Sequence, residues 1–168
     1  MLVTADSMVW TQGGPGIRPP LPDELKVTLL RKQWEVTEDV GEHFRRSIYI
    51  FARRNLRYPV FEAFDRPEAN ASCSKRAVST TATQALFMLN SRFAWDLADR
   101  MASRVTHQGG NSTQQIRDLF RFTLSREPTK SETADSLAFL ATTDDDDVRS
   151  LAELALVLFN CNEFYYID

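Results

Sequence analysis

Hydrophobic positions recur at helical spacing along the second half of the chain. Leu86, Leu89, Phe93, Leu97, Met101 and Val105 follow one another three and four residues apart. That spacing predicts one long amphipathic helix, kinked near Asn90. Thr81-x-x-Gln84 ahead of it has the form of a capping box, and His107 to Asn111, with Gly109-Gly110, ends it. Ser112-x-x-Gln115 opens a second helix with Ile116, Leu119, Phe120 and Leu124 on its stripe, stopped by Pro128. Thr129-x-x-Glu132 opens a third, with Leu137, Leu140 and Ala141 inward. A fourth follows Asp144–Asp147 and carries Val148, Leu151, Leu154, Ala155 and Leu158. The aromatic tail from Asn162 to Asp168 is expected to fold back onto these helices.

The first half is less regular. Residues 1–22 are punctuated by Gly13-Gly14-Pro15-Gly16 and Pro19-Pro20-Leu21-Pro22, and read as an extended arm. No Gly-Lys-Ser/Thr follows the glycines, so they are not a phosphate loop. A short helix is expected from Asp23 to about Lys32, with Leu25, Leu29 and Leu30 on one face. Arg46 to Arg53 is ambiguous. Ile48-Tyr49-Ile50-Phe51 has strand composition, whereas Ile48, Phe51 and Ala52 fit a helical face. The preferred reading is a helix ending before Pro59, because the residue ahead of a proline is pushed out of the helical region. Pro59 to Phe64 adds a helical turn or two, and Asp65 to Ser74 reads as loop. The expected fold is mainly α: a helical bundle over 23–168 with the Pro/Gly-rich arm 1–22 and room for one or two short strands.

The chain has 168 residues, enough for one domain with a real core. Its longest uninterrupted apolar run, Leu154 to Phe159, is far short of a membrane span. Met1 to Trp10 carries Asp6 and no Lys or Arg, so it does not read as a signal peptide. A net charge of −3 argues against a nucleic-acid partner. The charge is nevertheless uneven. Arg45, Arg46, Arg53, Arg54, Arg57, Arg66, Lys75 and Arg76 face only Glu62, Asp65 and Glu68 in their own stretch, while Glu127 to Asp168 is strongly acidic.

The arginines are the main candidate for chemistry. Arg45, Arg46, Arg53, Arg54 and Arg57, with Asn55, would grip an acidic glycan or an acidic partner if they share a face, since guanidinium recognises carboxylate, sulfate or phosphate bidentately. The plainer reading pairs them internally with Glu62, Asp65 or Asp144–Asp147. Consecutive aspartates at a helix start lack the spaced ligands of a calcium loop and read as capping. His43 and His107 have no nucleophile elbow to serve, so no catalytic residue is assigned. Trp10, Trp34, Trp95, Tyr165 and Tyr166 are expected to pack rather than stack on sugars. Cys73 and Cys161 lack metal spacing. They are two buried thiols or, outside the cytosol, one long-range disulfide. No metal or cofactor is implied.

Several stretches resemble a bacterial domain of unknown function, number fifteen-fifty-three, found mostly in planctomycetes. They are Gly13 to Pro20, Arg45 to Asn55, Phe61 to Asp65 with Cys73, Ser79 to Leu86 with Leu89-Asn90, Leu124 to Pro128, and Leu158 to Phe164. The resemblance implies a large extracytoplasmic protein with a cytochrome-c-like module and another uncharacterised domain ahead of this one, and carries over no catalytic residue. On that reading the chain looks like the C-terminal portion of such a protein. It is then expected to be a non-catalytic structural or interaction module whose partners are the upstream domains. The alternative is an anion- or acidic-glycan-binding module using the Arg45–Arg57 segment. A third reading is an enzyme whose site is shared with an upstream domain.

Overall fold

The computed structural model describes residues 1–28, 33–53, 56, 58–64, 66, 82–142 and 147–165. The chain divides into two compact units: Met1–Ser7 with Ala85–Asp168, and Met8–Gln84. Its helices are α1 (Asp23–Thr28), α2 (Pro59–Ala63), α3 (Ala82–Asn90), α4 (Arg92–Gln108), α5 (Ser112–Leu124), α6 (Lys130–Thr142), α7 (Asp147–Phe159) and α8 (Asn162–Tyr165). The expected mainly helical fold is therefore the observed one. The short strands allowed for are reduced to isolated bridges among the described residues.

The unit containing α4 to α8 is a helical bundle built on the pairing of α4 with α7, its most extensive helix contact. Ala94, Leu97, Ala98, Met101, Ala102 and Val105 of α4 are buried, as are Leu151, Ala152, Leu154, Ala155, Leu158 and Phe159 of α7. The alanines let the two backbones approach closely while the larger side chains interdigitate around them. Ile116, Leu119 and Phe120 bring α5 onto this pair. Helix α6 contributes only Ser136 among its fully buried residues, and Leu137 and Leu140 are half-covered.

The helix boundaries have local causes. The helix expected through Asn90 is broken, not kinked. Ser91 leaves the helical region (φ −73°, ψ 138°), and its Oγ accepts from Ala94 N–H at 3.2 Å, capping α4. Gly109 (φ 77°) ends α4 because the left-handed region costs glycine little. Asn111, not Ser112, caps α5: its Oδ1 accepts from Gln114 N–H at 3.0 Å. The reciprocal box at α6 is complete. Glu132 N–H donates to Thr129 Oγ1 at 3.2 Å, and Thr129 N–H donates to Glu132 Oε2 at 2.7 Å. The expected box residue Thr81, and the helical positions expected at Leu29 and Leu30, lie outside the described residues.

The other unit is organised by chain pairing. Val9 bridges Arg45 and Ile17 bridges Ile50, both in parallel. Val9 N–H donates to Phe44 O at 3.1 Å, Ile17 N–H to Tyr49 O at 2.8 Å, and Phe51 N–H to Ile17 O at 2.7 Å. The Pro/Gly-rich stretch is thus laid along residues 44–51. That pairing overturns the helix preferred for Arg46–Arg53. The segment holds a 3₁₀ turn, Ser47–Tyr49, followed by extended backbone at Ile50. Tyr49 and Ile50 N–H close that turn on Arg46 O and Ser47 O, while Tyr49 O and Phe51 N–H pair with Ile17 of the arm. Trp34 anchors the apolar centre: its ring stacks with Tyr58 at 6.3 Å and meets Phe51 edge-on at 6.2 Å, while its Nε1–H donates to Pro19 O at 2.8 Å. Pro59 starts α2, as its fixed φ favours.

Candidate functional site

The candidate arginines begin where the parallel bridge fixes Arg45 beside the Gly-rich arm. Arg45 is 2% exposed. Its Nη1 donates to Glu42 Oε2 at 2.8 Å, and its Nη2 donates to the carbonyls of Thr11, at 3.1 Å, and Gly13. Its guanidinium also lies over the Tyr49 ring, 4.1 Å from the centroid. Among the described residues its carboxylate partner is Glu42, three residues away, and not Glu62; Asp65 and Asp144–Asp146 lie outside the described residues. A buried guanidinium needs acceptors: the neighbouring turn supplies the Glu42 carboxylate, and the arm, 32 and 34 residues back, supplies the two carbonyls.

Arg46 is half-buried. Its Nη2 donates to Tyr49 Oη at 3.3 Å, and its guanidinium lies 5.6 Å from that ring. Gly13 N–H donates to the same phenol oxygen at 3.2 Å. Tyr49 therefore ties the arm to the arginine pair, and its hydroxyl is held below the usual tyrosine range, first by the Gly13 N–H and then by Arg46. Arg53 points elsewhere: its Nη1 donates to Gln33 O at 2.6 Å, and its backbone bridges Leu56. The structure thus brings Arg45 and Arg46 together around Tyr49. Among the described residues neither Arg46 nor Arg53 has a carboxylate partner. Arg54, Asn55 and Arg57 of the expected site lie outside the described residues, as do Cys73, Asp144–Asp146 and Tyr166.

His43 Nε2 bonds Thr37 O at 2.7 Å, and His107 Nδ1 bonds Ser103 O at 2.6 Å, so each imidazole is tied to a backbone carbonyl. Trp95 is packed beneath Arg149, whose guanidinium lies 4.3 Å from its centroid. Trp10 departs from the packing expected of it and is 64% exposed. Cys161 is a half-buried free thiol, pushed up by burial and then by Glu163. Among the described residues no group of three or more His, Cys, Asp or Glu is placed to hold a metal ion, and no helix is long and apolar enough to cross a membrane.

Two arrangements in the bundle unit escaped sequence reasoning. One is a groove of about 580 Å³ between the Ala5–Ser7 turn and a face of α4 that carries Asp99, Arg100, Ser103 and His107. Arg104 closes its floor by donating to Thr4 O at 2.6 Å and lying 3.9 Å from the Phe122 centroid. The other is Arg126, which grips two carboxylates at once. Its Nη1 and Nη2 donate to Glu132 at 2.9 and 2.7 Å, and its Nε and Nη2 donate to Glu163 at 2.6 and 2.9 Å. The Arg126 hydrogen bonds, helped by Thr129 N–H, pull Glu132 down to about 2. The capping box identified Glu132, but nothing in the spacing announces Glu163, which lies 37 residues from Arg126.

Comparison with known proteins gives a family but no activity. A family model described as "PSD1: Protein of unknown function (DUF1553)" matches residues 1–140. That span takes in every stretch that carried the resemblance except Leu158 to Phe164. No curated protein and no solved structure matches the chain.

Proposed function

We propose, from the premise that the chain belongs to the PSD1 (DUF1553) family of proteins of unknown function, that it is a non-catalytic structural or interaction module of a larger extracytoplasmic assembly. One contrast in the Met8–Gln84 unit carries the reading. Arg45 is consumed internally, whereas large apolar side chains of the same unit stand in water. Ile48 is 81% exposed, Trp10 64% and Val40 63%. The parallel bridge between Val9 and Arg45 brings the backbone on which Trp10 stands beside the segment that leads into the Ile48 turn. Exposed aromatic and aliphatic anchors next to a rigid polar lock are what a protein-binding surface requires, since such anchors supply most of the affinity once desolvated.

The test is association in trans with the separately produced domains that the family resemblance sets upstream. Binding is expected, and Ile48→Glu with Trp10→Ala should weaken it at least tenfold while the circular dichroism spectrum stays unchanged. Absence of binding to every upstream domain, or turnover appearing on mixing, would reject the reading.

A second reading rests on Arg46 and Arg53, which lack carboxylate partners among the described residues: they would bind a sulfated or acidic glycan. A glycan array at low and high salt tests it. Retention that falls steeply with salt and is lost in Arg46→Ala/Arg53→Ala supports this reading, and silence at both salt concentrations rejects it.

A further inference from the structure

We propose that α8 is a latch, held shut by Arg126, that opens while the helices beneath it stay folded. Helix α8 is a single four-residue turn, too short to be helical without docking. Among the described residues it packs against α5, Glu163 sits on the Arg126 guanidinium, and the Phe164 ring lies 5.2 Å from Phe159 of α7. Phe159 is fully buried, so the latch helps to cover an aromatic residue of the core.

The receptor does not depend on the latch. Arg126 stands in the connection between α5 and α6, where Glu132 holds it bidentately, and Glu132 is itself fixed by the α6 capping box. With α8 released, the guanidinium stays positioned and keeps one edge free for a carboxylate. Both ion pairs are partly exposed: the Arg126, Glu132 and Glu163 side chains retain 34%, 33% and 46% of their accessible surface. Pairs so placed are weakened by salt and contribute modestly. The helices below are joined by extensive apolar burial, so α8 is drawn from the low-stability end of the unit.

Hydrogen–deuterium exchange on the full chain, with mass mapping of the segment 160–165, reads the latch directly. In the unmodified chain that segment should exchange faster than α4 and α7, and faster still at high salt. Glu163→Gln should raise its exchange severalfold and leave α4 and α7 as protected as before. The alkylation rate of Cys161, next to the latch, gives a second readout and should rise in the same variant. Exchange of 160–165 at the same rate as α4 and α7, or exchange and alkylation indifferent to both salt and Glu163→Gln, would overturn the proposal.

Discussion

At the scale of single residues, the decisive feature is where each guanidinium finds its acceptors. Arg45 was legible as an arginine of interest but not as a buried one, because nothing in a one-dimensional pattern brings Thr11 and Gly13 to it. Its fork satisfies two backbone carbonyls and Glu42, so truncation strands three acceptors at once. Arg45→Met should cost about 2–4 kcal/mol in denaturant unfolding of this unit. Arg45→Lys should recover only part of it, because one ammonium cannot reproduce the planar fork. A loss below the scatter of the measurement would mean that the arm is held by its backbone bridges alone. Arg126 is the counterpart in the bundle unit, its second carboxylate invisible in the sequence for the same reason.

At the scale of elements, legibility followed the strength of the local signal. The box at Thr129 and Glu132 and the stripe Ile116, Leu119, Phe120 were read correctly, because each is a short-range pattern with one geometric solution. The separation of α3 from α4 was not. Apolar spacing runs through it unbroken, and only the Ser91 side chain, bonded to Ala94 N–H, marks the new start. Ser91→Ala should therefore destabilise the bundle unit by about 1 kcal/mol, and Ser91→Asp should keep the cap. A thermal midpoint unchanged in Ser91→Ala would show that packing alone sets the break. The Arg46–Arg53 stretch failed differently. Its residues satisfy both periodicities, and the choice fell to the arm, whose N–H and C=O groups took the backbone partners that a helix would have used within itself.

At the scale of the whole molecule, charge shows what a linear count leaves out. The basic middle and acidic end suggested pairing across the chain; among the described residues Arg45 is neutralised three residues away and Arg126 draws its carboxylates from within the bundle unit. Those carboxylates make acid stability a property of that unit. Arg126 lowers both Glu132, to about 2, and Glu163. A carboxylate lowered by folding binds fewer protons in the folded chain than in the unfolded one. Its stabilisation is complete above the ordinary value of 4.5 and is lost as the pH falls from there towards 2. Urea midpoints should therefore fall across that window, and Arg126→Gln should flatten the fall. An equally steep fall in the variant would assign the acid sensitivity to other groups.

The sequence by itself determined that the chain is helical, where most helices of the second half start, most of the buried faces of α4, α5 and α7, and that it belongs with PSD1 proteins, whereas Leu86 and Leu89, expected on the buried stripe, stand exposed and α3 buries Met88 instead. These properties depend on neighbours within a few residues or on ordered motifs. Tertiary structure alone decided the division into two units, the 3₁₀ turn at Ser47–Tyr49 with extended backbone at Ile50, the burial of Arg45 and the double grip of Arg126. Each depends on backbone or charge supplied from far along the chain. Hydrogen-bond partners that distant enter no periodicity, and only the folded chain brings them within reach.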